Sequence, residues 1–154
     1  MTGYTENQIV IFRDFKHVFE LTNRIDLWTK LFTEYQSAEV LSQQDNVITF
    51  RLTTFPEGSR PSRTWTSVRT IMPEKRQAIA KRLDPTFPFE HMDIQWLYEE
   101  LPNKDGVIMT WIQSFQVHPE CPFSNEQMES FLNANTRKQM RAVKTNVERW
   151  QDAY

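Results

Sequence analysis

Glycine is nearly missing from this chain: among 154 residues there are only Gly3, Gly58 and Gly106. Loops that cradle phosphates or dinucleotides need clustered glycines, so those binding classes are excluded. Cysteine is scarcer still. Cys121 stands alone, so no internal disulfide forms, which suits a reducing cytoplasm. A basic excess is also lacking: 18 Lys and Arg face 20 Asp and Glu, for a net charge of −2. Such a balance argues against a nucleic-acid partner. No apolar run approaches the roughly 20 residues needed to span a membrane. The start, MTGYTENQIV, has no basic region followed by an apolar stretch, so no signal peptide is expected and the cytoplasm is the expected compartment. His17, His91 and His118 lack metal-ligand spacing, and Cys121 has no second soft ligand nearby. Neither a metal nor a cofactor is expected.

Aromatic residues are what the chain has in plenty, with five tryptophans and eleven phenylalanines. The length fits one domain, taken as residues 1–154. The apolar, β-branched TENQIVIF predicts a first strand over Thr5–Phe12. Asp14 caps a helix over about Phe15–Asn23, and Ile25, Trp28 and Phe32 are spaced for a second, short one. Strands follow: Tyr35–Ser42 and Val47–Thr54 around the polar turn QQDN, then Arg63–Ile71, Arg76–Leu83, Met92–Glu99 and Val107–Val117. A long helix closes the chain. Ser124 and Gln127 form its capping box, and Met128, Phe131, Leu132, Val143, Val147 and Trp150 form its apolar face, with Met140 at the edge. This order reads as an α+β fold, in which a curved antiparallel sheet wraps one long C-terminal helix and leaves a space between them.

The face analysis raises a problem of charge. In TWTSVRT, Thr64–Thr70, one face carries Trp65, Ser67 and Arg69, and the tryptophan makes that the inward face. A guanidinium then lies inside the protein. Other elements do the same: Gln113 shares a face with Trp111, Asn135 and Gln139 interrupt the apolar face of the last helix, and Tyr35 adds a phenol. A buried polar group without a partner costs roughly 1–3 kcal/mol. Polar groups converging from separate elements on an apolar interior describe a small-molecule cavity better than a packed core.

Nearly the whole chain, in order, resembles the monodomain aromatase/cyclases of bacterial type II aromatic polyketide synthesis. The resemblance is carried by TENQIVI, LTNRIDLWTKLFTEY, FRLTTFPEG, WTSVR, MDIQW, WIQSF, PFSNEQM and LNANTRKQM. It implies the helix-grip fold of START domains and birch-pollen allergens. It also implies a poly-β-ketone substrate tethered to an acyl carrier protein, with a ketosynthase as second partner. By similarity, Arg69 and Tyr35 form the central catalytic pair with Ser67 beside them. Trp28, Phe32, Trp65, Met92, Trp96 and Trp111 would line the cavity, with Gln113 as a polar wall residue, Arg82 near the mouth, and Asn135 and Gln139 reaching in from the helix.

These residue types suit an intramolecular aldol condensation followed by dehydration. A methylene between two ketones is already acidic, so the hard tasks are geometry and stabilisation of an oxyanion. Arg69 would supply the cation. Tyr35 would serve as general acid, its pKa expected to be lowered by that cation. The rival reading is a carrier of a lipid or quinone that performs no chemistry, and the Tyr35–Arg69 pair separates the two.

Overall fold

The computed structural model describes residues 2–151. Strand β1 is Gly3–Ile11. Helix α1, Phe15–Thr22, begins where the Asp14 carboxylate accepts from the His17 N–H at 3.2 Å. One 3-10 turn, Ile25–Leu27, leads into the short α2, Trp28–Leu31. Six strands follow: β2 Tyr35–Gln44, β3 Val47–Thr54, β4 Thr64–Met72, β5 Gln77–Arg82, β6 Phe89–Glu100 and β7 Val107–Val117. Helix α3, Asn125–Arg149, ends the fold. All seven strands form one antiparallel sheet in the order β1-β7-β6-β5-β4-β3-β2. The expected α+β helix-grip architecture is therefore present. Because β1 and β2 lie at opposite edges, the two small helices must cross the open end of the sheet.

Some boundaries differ from the sequence reading for local reasons. The two glutamines of QQDN belong to β2, and the turn is Asp45-Asn46, with Asp45 left-handed at φ 55°; acidic and amide side chains tolerate that region. Strand β6 starts at Phe89 instead of Met92, because Phe89 pairs with Val117. In α3 the capping box forms as read, Gln127 N to Ser124 Oγ at 3.1 Å and Ser124 N to Gln127 Oε1 at 2.9 Å. Its inward line is not as read. Met140 is fully buried rather than marginal, and Phe131 is 37% exposed. Gln139 lies on the buried line as read, and Thr136 joins it there.

Helix α3 is tied along two seams. Toward β1, Glu129 accepts from the Tyr4 N–H at 2.8 Å, Asn133 from Asn7 at 2.8 Å, and Lys144 donates to the Val10 carbonyl at 2.6 Å. Toward the segment around α2, Asn135 donates to Glu34 at 3.0 Å, Gln139 bonds Thr33, and Asn146 donates to the Leu31 carbonyl at 3.0 Å. The main core, including Val18, Leu21, Ile25, Val143 and Val147, fills the end closed by α1. A second cluster of Phe89, Met92, Phe115, Met128 and Leu132 sits under the start of α3. Between the two lies a space that the side chains do not fill. Among the described residues, no helix is long and apolar enough to cross a membrane.

Candidate active site

The register explains why Arg69 points inward. Ile48, Phe50 and Leu52 form the apolar face of β3, and they pair across the sheet with Arg69, Ser67 and Trp65. Paired residues share a face, so β3 commits the Trp-Ser-Arg face of β4 to the interior. On the other side, β5 presents Ala78, Ala80 and Arg82 inward, and Ala80 is the cross-strand partner of Arg69. Two small alanines beside large aromatic neighbours leave room for the guanidinium and for a cavity of about 550 Å³.

The walls are flat rings. Trp96 and Trp111 are cross-strand partners stacked at 4.2 Å between centroids, with 9° between planes. Trp28 stacks on Trp96 at 5.7 Å and 14°, and Phe32 on Trp111 at 5.7 Å and 22°. Tyr35 stacks on Trp28 at 6.0 Å and 17°. Such offset pairs are worth about 0.5–1.5 kcal/mol each beyond the area they bury.

Arg69 is 1% exposed. Its Nε donates to Asn23 Oδ1 at 2.9 Å, and its guanidinium lies 4.1 Å over the Trp96 ring and 5.4 Å from Trp28. Burial pushes its pKa down to about 10, against the pull of Tyr98 and Tyr35, so it stays a cation at neutral pH. Asn23 in turn donates to the Phe19 carbonyl at 2.9 Å and to the Tyr98 hydroxyl at 3.3 Å. That hydroxyl is 2.8 Å from Thr22 Oγ1. The end of α1 thus anchors Arg69 through a buried amide and phenol. Arg82 is half-buried, its guanidinium 4.0 Å over Trp65 and 5.1 Å from Phe89. Burial lowers its pKa to about 10 as well, with Tyr35 opposing the shift.

Three enclosed donors of this wall have no partner: Arg69 Nη2, Arg82 Nε and Trp111 Nε1. Unpaired buried donors are rare in folded proteins, because each costs about 1–3 kcal/mol. All three belong to residues that line the one cavity.

The structure brings together on the cavity wall all the side chains marked in the sequence except one: Tyr35, Ser67 and Arg69, with Trp28, Phe32, Trp65, Arg82, Trp96, Trp111, Gln113, Asn135 and Gln139. Met92 is the exception. It pairs with Phe115 and packs in the second core cluster, away from the cavity lining. The expected pKa of Tyr35 is also corrected: it is raised well above the ordinary phenol value, first by burial and then by the carboxylate of Glu34. The cation with the largest opposing effect is Arg82, followed by Arg63. Gln139 is a wall residue whose amide is occupied: its Oε1 accepts from the Thr33 N–H and its Nε2 donates to Thr33 Oγ1, both at 2.9 Å. Gln113 Oε1 accepts from Thr5 at 2.8 Å and from Thr136 at 3.4 Å.

Sequence reasoning missed Asn23, Tyr98 and Glu34. Asn23 reads as a helix end and Tyr98 as core, since no local pattern ties either to Arg69. Glu34 adjoins Tyr35, and a carboxylate beside an inward phenol was the available signal. The inward alanines of β5 were the signal for the cavity itself. The mouth carries Arg60 stacked 4.5 Å over Phe131, with Phe87 and Phe123 exposed beside it. Among the described residues, no group of three or more His, Cys, Asp and Glu could hold a metal ion.

A family model described as "Polyketide cyclase / dehydrase and lipid transport" matches residues 13–144. A protein of Streptomyces cyaneus named "Putative polyketide cyclase" is 40% identical over 148 residues, covering 96% of this chain and 95% of that protein. Among solved structures, the Zhui aromatase/cyclase from Streptomyces sp. R1128 superposes with a TM-score of 0.83 at 18% identity, covering 97% of this chain and 95% of that one. A START superfamily protein from Mycobacterium smegmatis gives 0.76 at 10% identity, covering 94% and 97%. At those identities the two structures speak to the fold.

Proposed function

The chain belongs to the polyketide cyclase / dehydrase and lipid-transport family, and from that premise we propose that it is an aromatase/cyclase. It folds a poly-β-ketone carried by an acyl carrier protein, directs one intramolecular aldol closure, and drives dehydration to an aromatic ring. In this reading it works in the cytoplasm beside a ketosynthase and needs no cofactor. The observation that carries the reading is the set of three unpartnered donors, Arg69 Nη2, Arg82 Nε and Trp111 Nε1, around an aromatic-walled cavity. A saturated lipid would leave them unpaired. A poly-β-ketone offers a carbonyl oxygen at every second carbon and becomes flat as it aromatises.

The roles follow from position. Arg69, anchored by Asn23, presents a fixed cation to the enolate and to the alkoxide that develop in the reaction. A dipole or charge held in place before the reaction needs no reorganisation during it, which is why anchoring matters as much as charge. Tyr35 stays protonated because burial and Glu34 raise its pKa, so it serves as a proton donor to the new alkoxide. In this reading Ser67, 3% exposed and two residues from Arg69 on the same face of β4, binds the same oxygen. The stacked tryptophans exclude water and limit the folded conformations of the chain.

The test is product analysis of a minimal polyketide synthase reconstituted with this protein and with its Arg69→Ala variant. One regiospecific aromatic product with the wild type, reverting to a spontaneous mixture with the variant, is the expected result. An unchanged mixture with the wild type overturns the reading and leaves a carrier, whose ligand would be sought in the purified protein.

A further inference from the structure

The aldol step needs a base, and the raised pKa of Tyr35 keeps its phenol protonated at rest. The cavity lining contains seven ionisable side chains: Glu34, Tyr35, Arg60, Arg63, Arg69, Arg82 and Cys121. Four are guanidinium cations, which hold protons. Tyr35 is neutral, and Cys121 packs against the second core cluster, far from β2 in the chain. Glu34 is the single carboxylate of the wall, and no histidine, aspartate or lysine shares it.

The surroundings of Glu34 fit that task. It is half-buried in the bend between α2 and β2. Its backbone carbonyl accepts from the Phe55 N–H at 3.0 Å, which fixes the main chain. Its Oε2 accepts from Asn135 Nδ2 of α3 at 3.0 Å. Arg82 of β5 and Arg60 and Arg63 of the β3–β4 loop share the lining with it, yet among the described residues none closes an ion pair with this carboxylate. The phenol of Tyr35 is next in the chain, and the Glu34 carboxylate helps to raise its pKa. A carboxylate held by one amide, with no cation closed on it, keeps oxygen lone pairs for accepting a proton.

We propose that Glu34 is the general base of the cyclisation and that Glu34 and Tyr35 together carry one proton from carbon to oxygen. This rests on the cyclase reading. The C–H bond of an activated methylene breaks, its proton goes to the Glu34 carboxylate, and the electron pair moves onto the adjacent carbonyl as an enolate. The enolate carbon attacks a distant carbonyl carbon, a C–C bond forms, and that oxygen becomes an alkoxide. The alkoxide takes the proton of Tyr35, and protonated Glu34 returns a proton to the tyrosinate. Nothing is consumed, and both residues end as they began. In the dehydration the same pair acts again: Glu34 removes the remaining α-proton, the hydroxyl leaves with a proton from Tyr35, and water departs.

The experiment uses the full chain in the reconstituted synthase. Four samples are compared: wild type, Glu34→Gln, Glu34→Ala, and Glu34→Ala with added sodium formate. Binding of 1,8-dihydroxyanthraquinone, read by quenching of tryptophan emission, reports an intact cavity. The expected result is a loss of about a hundredfold or more in the regiospecific product rate for Glu34→Gln with probe affinity kept. Formate should restore part of the rate of Glu34→Ala. If wild type yields its single product and Glu34→Gln matches it within about threefold, the base is elsewhere, while the cyclase reading stands. If Glu34→Ala loses probe affinity along with rate and formate restores nothing, Glu34 is a structural residue and the proposal fails. If wild type itself yields no defined product, the cyclase reading fails first.

Discussion

Two arginines in this interior look alike and are held differently. Arg69 lies over Trp96 at 4.1 Å and Arg82 over Trp65 at 4.0 Å. Burial pushes both down to about 10, and both keep one enclosed nitrogen without a partner. Arg69 sits at the end closed by α1, where Asn23 takes its Nε and Tyr98 stands beside it. Arg82 sits at the end of β5, where its Nε has no partner and its neighbours are the rings of Trp65 and Phe89. On the proposed cyclase reading, the contrast separates two uses of the same side chain. An anchored guanidinium is preorganised for charge that appears only in the transition state. One held by ring faces alone is free to follow a substrate and contributes mainly to binding.

Substituting the anchored arginine gives the largest expected effect. Arg69→Met should lower the rate of regiospecific cyclisation by about a hundredfold to a thousandfold, the size of losing one preorganised donor. Its stability should stay within about 1 kcal/mol of wild type in urea titration, since loss of an expensive buried charge offsets the unpaired Asn23. A large loss of stability would mean that Arg69 is structural.

Tyr35→Phe comes next, with a rate loss of about tenfold to a hundredfold and unchanged affinity for an aromatic probe. Because the folded pKa of Tyr35 lies above its unfolded value, the stability it contributes is full below about pH 10 and lost as pH rises further. Urea midpoints of wild type should therefore fall more steeply than those of Tyr35→Phe between neutral pH and strongly alkaline pH.

The anchor itself is tested by Asn23→Ala, which leaves Arg69 in place but frees it. A drop of about tenfold in kcat with little change in KM, rescued in part by Asn23→Asp, would sharpen the contrast between held and unheld arginines. Arg82→Ala should do the reverse, raising KM about three- to tenfold while kcat stays near wild type. Equal profiles for the two variants would break the comparison. Gln139→Ala should change stability alone in this ranking, by about 1–2 kcal/mol in thermal unfolding, since both ends of its amide are bonded to Thr33.

Much of this was legible from the chain. Alternation in TWTSVRT placed Arg69 inside, and the capping residues Ser124 and Gln127 marked the start of α3, because period and capping are local properties. The wall residues were found through facing patterns and family resemblance. Met92 shows the limit of facing: it is on the inner face of β6, but that face spans both the cavity and the second core cluster. Phe131 shows the same limit on α3, since one turn of helix separates buried from rim positions and the sheet's curvature decides between them.

The sequence by itself determined the order of elements, the inward face of each strand and the types of side chain that would meet inside. Those follow from backbone periodicity and from the cost of exposing apolar surface. Only the tertiary structure decided which inward groups pair and which remain unpaired. Asn23 and Tyr98, 75 residues apart in the chain, meet at 3.3 Å beside Arg69, and Gln139 spends its amide on Thr33, 106 residues away. Hydrogen bonds act over about 3 Å and depend on direction, so their partners are fixed by packing in three dimensions and by no local pattern. The same holds for the pKa of Tyr35, which burial raised where the expected neighbour would have lowered it.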